Sequence, residues 1–187
     1  VVPPEELVPI RALYDQMFES RAGWERGELF DMLDPEDRPD AARLPQLVWP
    51  SRHAPWLAET LTRRNATTLA RSLLPGADLV WEFAIMKPPR DGAATPWHQD
   101  EASFTVGTPY RTAVSCWIAL QDVDEAHGCM LYVPGSHHGP LVDHASVGGN
   151  RRAHALTAVD PDISRAVAVP LSAGDAVIHH SRTLHGA

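Results

Sequence analysis

The sequence predicts a mainly β fold, a sandwich or barrel of short strands, with helices in its N-terminal part. Segments rich in β-formers recur from about residue 77 onward, divided by turn residues. Before that point, apolar residues recur at helical spacing. Of the 187 residues, 44% are hydrophobic, which is enough for a core. We therefore expect a single domain over 1–187, with a helical part at about 1–76 and a β core at about 77–187.

Charge and cysteine content exclude several classes of protein. The net charge of -8 argues against a nucleic-acid or anionic-membrane surface. No run of 18 apolar residues occurs, so no membrane span is expected. The two cysteines, Cys116 and Cys129, cannot form a disulfide framework. We expect a cytoplasmic protein whose partner is a small molecule.

Two helices are predicted before residue 77. The first begins at Pro3-Pro4, because proline is tolerated in a first helical turn and the following glutamates favour the positive end of the helix dipole. After a surface loop at 34–45, the second runs from Trp56 to Leu74 and ends at Pro75-Gly76. Its apolar face would be formed by Leu57, Leu61, Leu69 and Leu73.

Five strands are predicted in the remainder, each rich in β-branched and aromatic residues. They cover Ala77–Met86, Arg111–Leu120, Gly128–Pro134, Arg165–Leu171 and Ala176–His180. The segment Val142–Asp162, with glycines and mixed charge, is expected to be a long loop that contacts substrate.

A short motif, Trp97-His98-Gln99-Asp100, could supply metal ligands. In a strand, residues i and i+2 point to one face, so His98 and Asp100 would offer an imidazole and a carboxylate to one ion. A second imidazole from the closing segment, which contains His179, His180 and His185, would join them if the strands close into a jelly roll. Two histidines and one carboxylate suit non-haem Fe(II), which keeps positions for a bidentate co-substrate and O₂. Zinc is less suited, since no cysteine spacing for a structural zinc site is present.

His179 and His180 are rivals of His185 for the third position. His179 has the same strand parity as His185, and His180 has the opposite parity. One of them could instead hydrogen-bond to a metal ligand and fix its orientation.

Four blocks in this order resemble the phytanoyl-CoA dioxygenase family, and they extend from about Leu79 to the end of the chain. They are Lys87-Pro88-Pro89 through Glu101, Trp117 through Val123, Gly128 through His137 with its Pro-Gly-Ser-His ending, and Gly174-Asp175 through His185-Gly186.

The resemblance implies an Fe(II)- and 2-oxoglutarate-dependent oxygenase on a double-stranded β-helix. By position, His98, Asp100 and His185 match the metal ligands, and Trp117 and Phe83 match residues that contact 2-oxoglutarate. Such an enzyme oxidises a small organic substrate with O₂ and releases succinate and CO₂. Related halogenases have a small residue at the position of Asp100, so the aspartate favours hydroxylation, desaturation or ring closure.

One departure from the family pattern concerns an arginine beyond the third ligand, which pairs with the distal carboxylate of 2-oxoglutarate. The sequence ends at Ala187, before that position, and we expect it to be truncated at both ends. Arg182 is a poor substitute, because three residues before His185 it should face the other side of the strand. A non-catalytic jelly-roll binding protein and a zinc hydrolase with the same triad stay open as alternatives.

Overall fold

The computed structural model describes residues 1–34, 41–90, 92–104, 112–147 and 155–187. Within these ranges it is mostly β, with two α-helices near the N-terminus. No helix in the described ranges has the length and apolar character needed to cross a membrane. The mainly β architecture predicted from the sequence is therefore present.

The first helix, α1, spans Pro4–Glu19 and begins where the sequence predicts. Its buried side chains, Ile10 and Met17, pack with Leu29 and Leu47 in one core cluster. Those two leucines lie in strands, so α1 packs against a sheet.

The second helix, α2, spans Leu61–Leu73 and begins later than predicted. The preceding Pro55–Glu59 forms a 3₁₀ turn, and extended Thr60 separates the two and accepts a hydrogen bond from the amide of Arg63. The predicted apolar face is also wrong. Leu57 is buried, but Leu61, Leu69 and Leu73 are 39%, 41% and 63% exposed.

The N-terminal part is not purely helical, which corrects the predicted division at residue 76. Strand β1 (Leu29–Asp31) and strand β2 (Pro45–Val48) form an antiparallel sheet with β3 (Phe83–Ile85), in the order β1-β2-β3. Strands of three or four residues have too few alternations to be recognised from periodicity. Of the predicted loop at 34–45, residues 35–40 lie outside the described part of the chain.

The predicted core strands are present but shorter, except for the last, whose bounds are as predicted. They are β4 (Val114–Ile118), β5 (Met130–Tyr132), β8 (Val167–Val169) and β9 (Ala176–His180). Strand β4 pairs antiparallel with β9. Strand β5 lies between β8 and a final strand, β10 (His185–Gly186), in a second sheet.

The predicted long loop at 142–162 contains a hairpin, so that prediction is wrong in part. Strand β6 (His144–Ser146) pairs antiparallel with β7 (Leu156–Ala158). The amide of Ala158 donates to the carbonyl of Trp97 over 2.7 Å, which joins the hairpin to the segment that carries the His-x-Asp motif. Arg151 and Arg152 lie outside the described residues.

Candidate metal centre

His98 and His185 face each other across an isolated antiparallel bridge. The amide of His98 donates to the carbonyl of His185 over 2.8 Å, and the reverse hydrogen bond is 2.9 Å long. Further along the same two segments, the amides and carbonyls of Thr95 and Ala187 also pair, over 2.6 and 3.2 Å. Backbone pairing thus brings together two histidines that are far apart in the sequence.

Asp100 completes the triad predicted from the sequence. One ligand atom from each of His98, Asp100 and His185 lies within 4.8 Å of the other two. Asp100 Oδ1 is 3.5 Å from His98 Nε2 and 3.5 Å from His185 Nε2. A single ion with bonds of about 2.1 Å can bridge such spacings.

Both imidazoles are oriented by their other ring nitrogen. His98 Nδ1 lies 2.8 Å from the carbonyl of Pro96, and His185 Nδ1 lies 2.7 Å from the carbonyl of Thr183. Because a carbonyl only accepts, each Nδ1 carries the proton and donates. Each Nε2 then presents a lone pair toward Asp100, as a metal-binding histidine requires.

The protonation states suit a cation. Burial, and then the neighbouring His98, lower the pKa of His185 to about 3, so its ring is neutral at ordinary pH. Burial alone would raise the pKa of Asp100, but the hydrogen bond from His179 and the neighbouring rings of His98 and His185 hold that pKa well below its usual value. The site therefore offers two imidazole nitrogens and one carboxylate, and this donor set fits Fe(II).

His179 and His180 do not occupy the third position. His179 Nε2 lies 3.2 Å from Asp100 Oδ2, the carboxylate oxygen that does not face the Nε2 atoms of His98 and His185. His180 Nδ1 accepts from the amide of Arg182, and its ring lies 5.7 Å from that of His137. Burial and His137 lower the pKa of His180. Of the two rivals, His179 is the one with described contacts to triad residues, to Asp100 Oδ2 and to the ring of His185.

Arg182 is paired with Glu101, as its strand parity led us to expect of a side chain directed away from the site. Its Nη2 and Nε lie 2.5 and 3.1 Å from the two carboxylate oxygens of Glu101. This bidentate pair occupies the guanidinium, so Arg182 is not placed to anchor a co-substrate.

The two residues predicted to contact 2-oxoglutarate differ in position. Trp117 lies in β4 two residues after Ser115, whose hydroxyl contacts Asp100, so the two share a strand face. Trp117 also packs on the core residues Ala119, Val123 and Cys129. Phe83 begins β3 and is 48% exposed, and the described contacts of the triad do not include it. Both contacts with 2-oxoglutarate stay predictions.

Sequence reasoning missed four residues that surround the triad: Ser115, Tyr132, Gln99 and His144. Ser115 and Tyr132 lie in strands that read as ordinary core segments, so no local pattern signals them. Gln99 had a signal, because it lies between the two motif residues and must point to the opposite face. Gln99 is 1% exposed there, and its backbone N–H donates a hydrogen bond to His144 Nε2 over 3.1 Å.

A cavity of about 400 Å³ adjoins this centre. Tyr132 and His179 line it, and His179 also contacts Asp100. The rest of the wall combines apolar and polar side chains: Leu73, Val114, Val177, Ile178, His137, His180 and Thr183. Its volume is in the range of pockets that hold small organic molecules.

A mostly β fold that brings two imidazoles on paired backbone segments to a carboxylate at the start of a 3₁₀ turn, Asp100–Ser103, defines a class, the mononuclear non-haem metal proteins with a facial triad. Within that class the match is specific, since the phytanoyl-CoA dioxygenase family model covers residues 1–187. The chain belongs to this family.

Relatives of different named activities match parts of the chain. The peroxisomal phytanoyl-CoA dioxygenase of Rattus norvegicus is 36% identical over 109 residues, which are 54% of this chain and 32% of that protein. The L-proline trans-4-hydroxylase of Streptomyces griseoviridis is 38% identical over 91 residues, 46% of this chain and 33% of that protein. The matched segments thus span about a third of the length of these relatives.

Among solved structures, EvdO2 from Micromonospora carbonacea var. aurantiaca, complexed with 2-oxoglutarate, superposes with a TM-score of 0.76 and 31% identity. The likeness covers 97% of this chain and 74% of that one. The family and this neighbour agree with the iron and 2-oxoglutarate chemistry inferred from the sequence motif.

Proposed function

We propose that the protein is an Fe(II)- and 2-oxoglutarate-dependent dioxygenase that hydroxylates, or otherwise oxidises, a small organic substrate. The observation that carries the proposal is the triad geometry, in which Asp100 Oδ1 lies 3.5 Å from the Nε2 atoms of both His98 and His185. In this proposal His98, Asp100 and His185 are the metal ligands.

Each protein group has a defined task in such a reaction. Ferrous iron and 2-oxoglutarate, when bound, would supply the oxidising chemistry: O₂ would convert 2-oxoglutarate to succinate and CO₂, and in a hydroxylation the second oxygen atom would enter the substrate. The two imidazoles and Asp100 bind on one face and leave three positions open. The His185 side chain is 3% exposed, so this ligand is removed from bulk water.

The substrate in this proposal occupies the cavity of about 400 Å³ lined by Tyr132 and His179. One of the residues that line it, His179, also lies 3.2 Å from Asp100 Oδ2. The mixture of apolar residues and imidazoles suits a small organic molecule with a few polar groups. The names of the relatives give different substrates, phytanoyl-CoA and L-proline, so family membership does not select a substrate class.

We also infer that β4, β9 and the β10-β5-β8 sheet belong to one double-stranded β-helix in a single domain. Two antiparallel bridges support this inference. His98 pairs with His185, and Val123 pairs with Leu171, so segments outside the named strands extend the sheets.

The test is anaerobic addition of Fe(II) and then 2-oxoglutarate to the purified protein. Chelation of the ferrous site by the keto acid is expected to produce a weak visible charge-transfer band. His98→Ala should abolish the band, because one of three ligands is lost. His127→Ala is the matched control, since His127 is an exposed imidazole that pairs only with Asp124 in the described structure.

Metal binding without the band would contradict the dioxygenase and favour a binding protein or a zinc hydrolase with the same triad. Retention of the band in His98→Ala would contradict the ligand assignment.

A further inference from the structure

The two oxygens of the Asp100 carboxylate have different surroundings. Oδ1 faces the Nε2 atoms of the two triad histidines. Oδ2 accepts a hydrogen bond of 2.6 Å from Ser115 Oγ and lies 3.2 Å from His179 Nε2. The carboxylate is therefore held so that one oxygen points to the candidate metal position and the other to protein donors.

The two donors come from a directly opposed pair of residues. Ser115 in β4 and His179 in β9 are partners in the antiparallel register. Directly opposed side chains on one face of a sheet are about 5 Å apart at Cβ, so the backbone sets their spacing. Both therefore reach the same oxygen without long, mobile side chains.

A third residue sets the tautomer of His179. An ionised carboxylate only accepts, so His179 Nε2 must carry the proton that it donates to Asp100. In the neutral ring Nδ1 is then an acceptor, and Tyr132 Oη lies 3.0 Å from it. The Tyr132 hydroxyl thus donates to His179, and His179 donates to Asp100.

Tyr132 connects this chain of hydrogen bonds to the third triad residue. It lies in β5 directly opposite His185 in β10, and it is 7% exposed. Its ring centroid is 5.8 Å from that of His185, and the His179 ring centroid is 4.3 Å from the same ring. One buried group of side chains therefore packs on His185 and hydrogen-bonds to Asp100.

We propose that Ser115, His179 and Tyr132 are positioning residues that hold Asp100 to binding through one oxygen. This inference rests on the proposed function. A carboxylate can bind a metal through one oxygen or two. A second bond through Oδ2 would occupy one of the three positions that a bidentate co-substrate and O₂ require. Hydrogen bonds from Ser115 and His179 compete with that second bond.

The experiment uses Co(II), whose visible absorption reports coordination, with no turnover needed. Ser115→Ala and His179→Leu each remove a donor to Oδ2. Each should weaken Co(II) binding about 10- to 100-fold, the usual effect of losing a partner that orients a metal ligand. Each should also change the spectrum at saturation. Tyr132→Phe should have the same direction and a smaller effect, because it acts through His179.

Two further variants separate positioning from general packing. In His179→Gln the side-chain amide nitrogen can reach the position of the imidazole Nε2 and can still donate to Asp100. This variant should therefore bind Co(II) with an affinity close to that of the unmodified protein. Tyr14→Phe removes a hydroxyl from the separate core cluster under α1 and should leave the Co(II) spectrum unchanged.

Each outcome has one meaning. If Ser115→Ala and His179→Leu bind Co(II) with unchanged affinity and spectrum, the positioning role is wrong and the metal site stands. If His179→Gln and His179→Leu lose affinity equally and keep the original spectrum, the effect is one of packing, which also overturns the proposal. If the unmodified protein binds no Co(II), the metal site itself is wrong, and the positioning role is refuted with it.

Discussion

Gln99, between the two motif residues His98 and Asp100, is buried with both ends of its side-chain amide in use. Its Nε2 donates to the carbonyl of Arg182 over 2.8 Å, and its Oε1 accepts from the amide of Val142 over 2.9 Å. The side chain thus ties the metal motif to the chain before His185 on one side and to the segment before β6 on the other. Ligand positions depend on such supporting contacts.

Gln99→Leu should destabilise the fold, because it leaves a carbonyl and an amide without partners in a buried place. Each unsatisfied group costs about 1–3 kcal/mol, so we expect the free energy of unfolding to fall by about 2–4 kcal/mol in urea denaturation. Gln16→Leu, at an exposed position of α1, should change it by less than about 0.5 kcal/mol. Equal effects of the two substitutions would refute the role of Gln99.

At the level of elements, α1 stabilises the start of α2 through Glu6. The Glu6 carboxylate accepts hydrogen bonds of 2.8 Å from the amides of Leu61 and Thr62, and one of 2.7 Å from the Thr62 hydroxyl. The first amides of a helix have no partner within it, so a side chain from another helix supplies the cap. This contact explains how α2 is held although its leucines are exposed.

Stability should depend on pH through Glu6. Burial alone would raise its pKa, but the hydrogen bonds from Thr62 and Leu61 lower it. Because the pKa of Glu6 is lower in the folded state, ionised Glu6 adds to the free energy of unfolding at pH values above its pKa in the unfolded chain. That contribution is lost as pH falls through its pKa in the folded protein. Glu6→Gln should therefore be less stable than the unmodified protein at pH 7. The difference in the free energy of unfolding between the two proteins should shrink as pH falls below about 4.5.

The measurement is urea denaturation of both proteins across that pH range. Glu5→Gln is the control, because Glu5 lies in the same first turn and is exposed. A gap that widens toward low pH, or one that Glu5→Gln reproduces, would show that Glu6 does not cap α2.

At the scale of the whole molecule, the candidate ligands come from segments that are far apart in the sequence. His98 and Asp100 follow the loop after β3, and His185 begins the last strand, β10. They meet only when that strand pairs with β5 and with the backbone of His98. Metal binding should therefore be coupled to folding.

We expect Fe(II), added anaerobically, to raise the melting temperature. At 100 times Kd a ligand that binds only the folded state adds about 2.7 kcal/mol. For a chain of this size that corresponds to roughly 5–10 °C. His185→Ala should lose this increment whatever its own melting temperature, and His127→Ala should keep it. An increment that persists in His185→Ala would mean that the ion stabilises the protein from some other site.

Local residue pattern, together with the family resemblance, predicted all three triad residues. The i, i+2 spacing of His98 and Asp100 and the final His-Gly of the chain led to three residues that the structure brings together. The bounds of β9 and the start of α1 were also predicted, since each has a strong local signal. The strands β1, β2, β6 and β7 were not, because three or four residues carry too little periodicity.

What the sequence by itself determined is the class of chemistry: two imidazoles and a carboxylate in a mainly β chain with the motifs of one oxygenase family. What only the tertiary structure decided is the role of the other groups, and strand register is the physical reason. Pairing of Ser115 with His179, and of Tyr132 with His185, places side chains from four strands around one carboxylate. No spacing along the chain specifies such a contact, since it arises only from which backbone groups pair across a sheet.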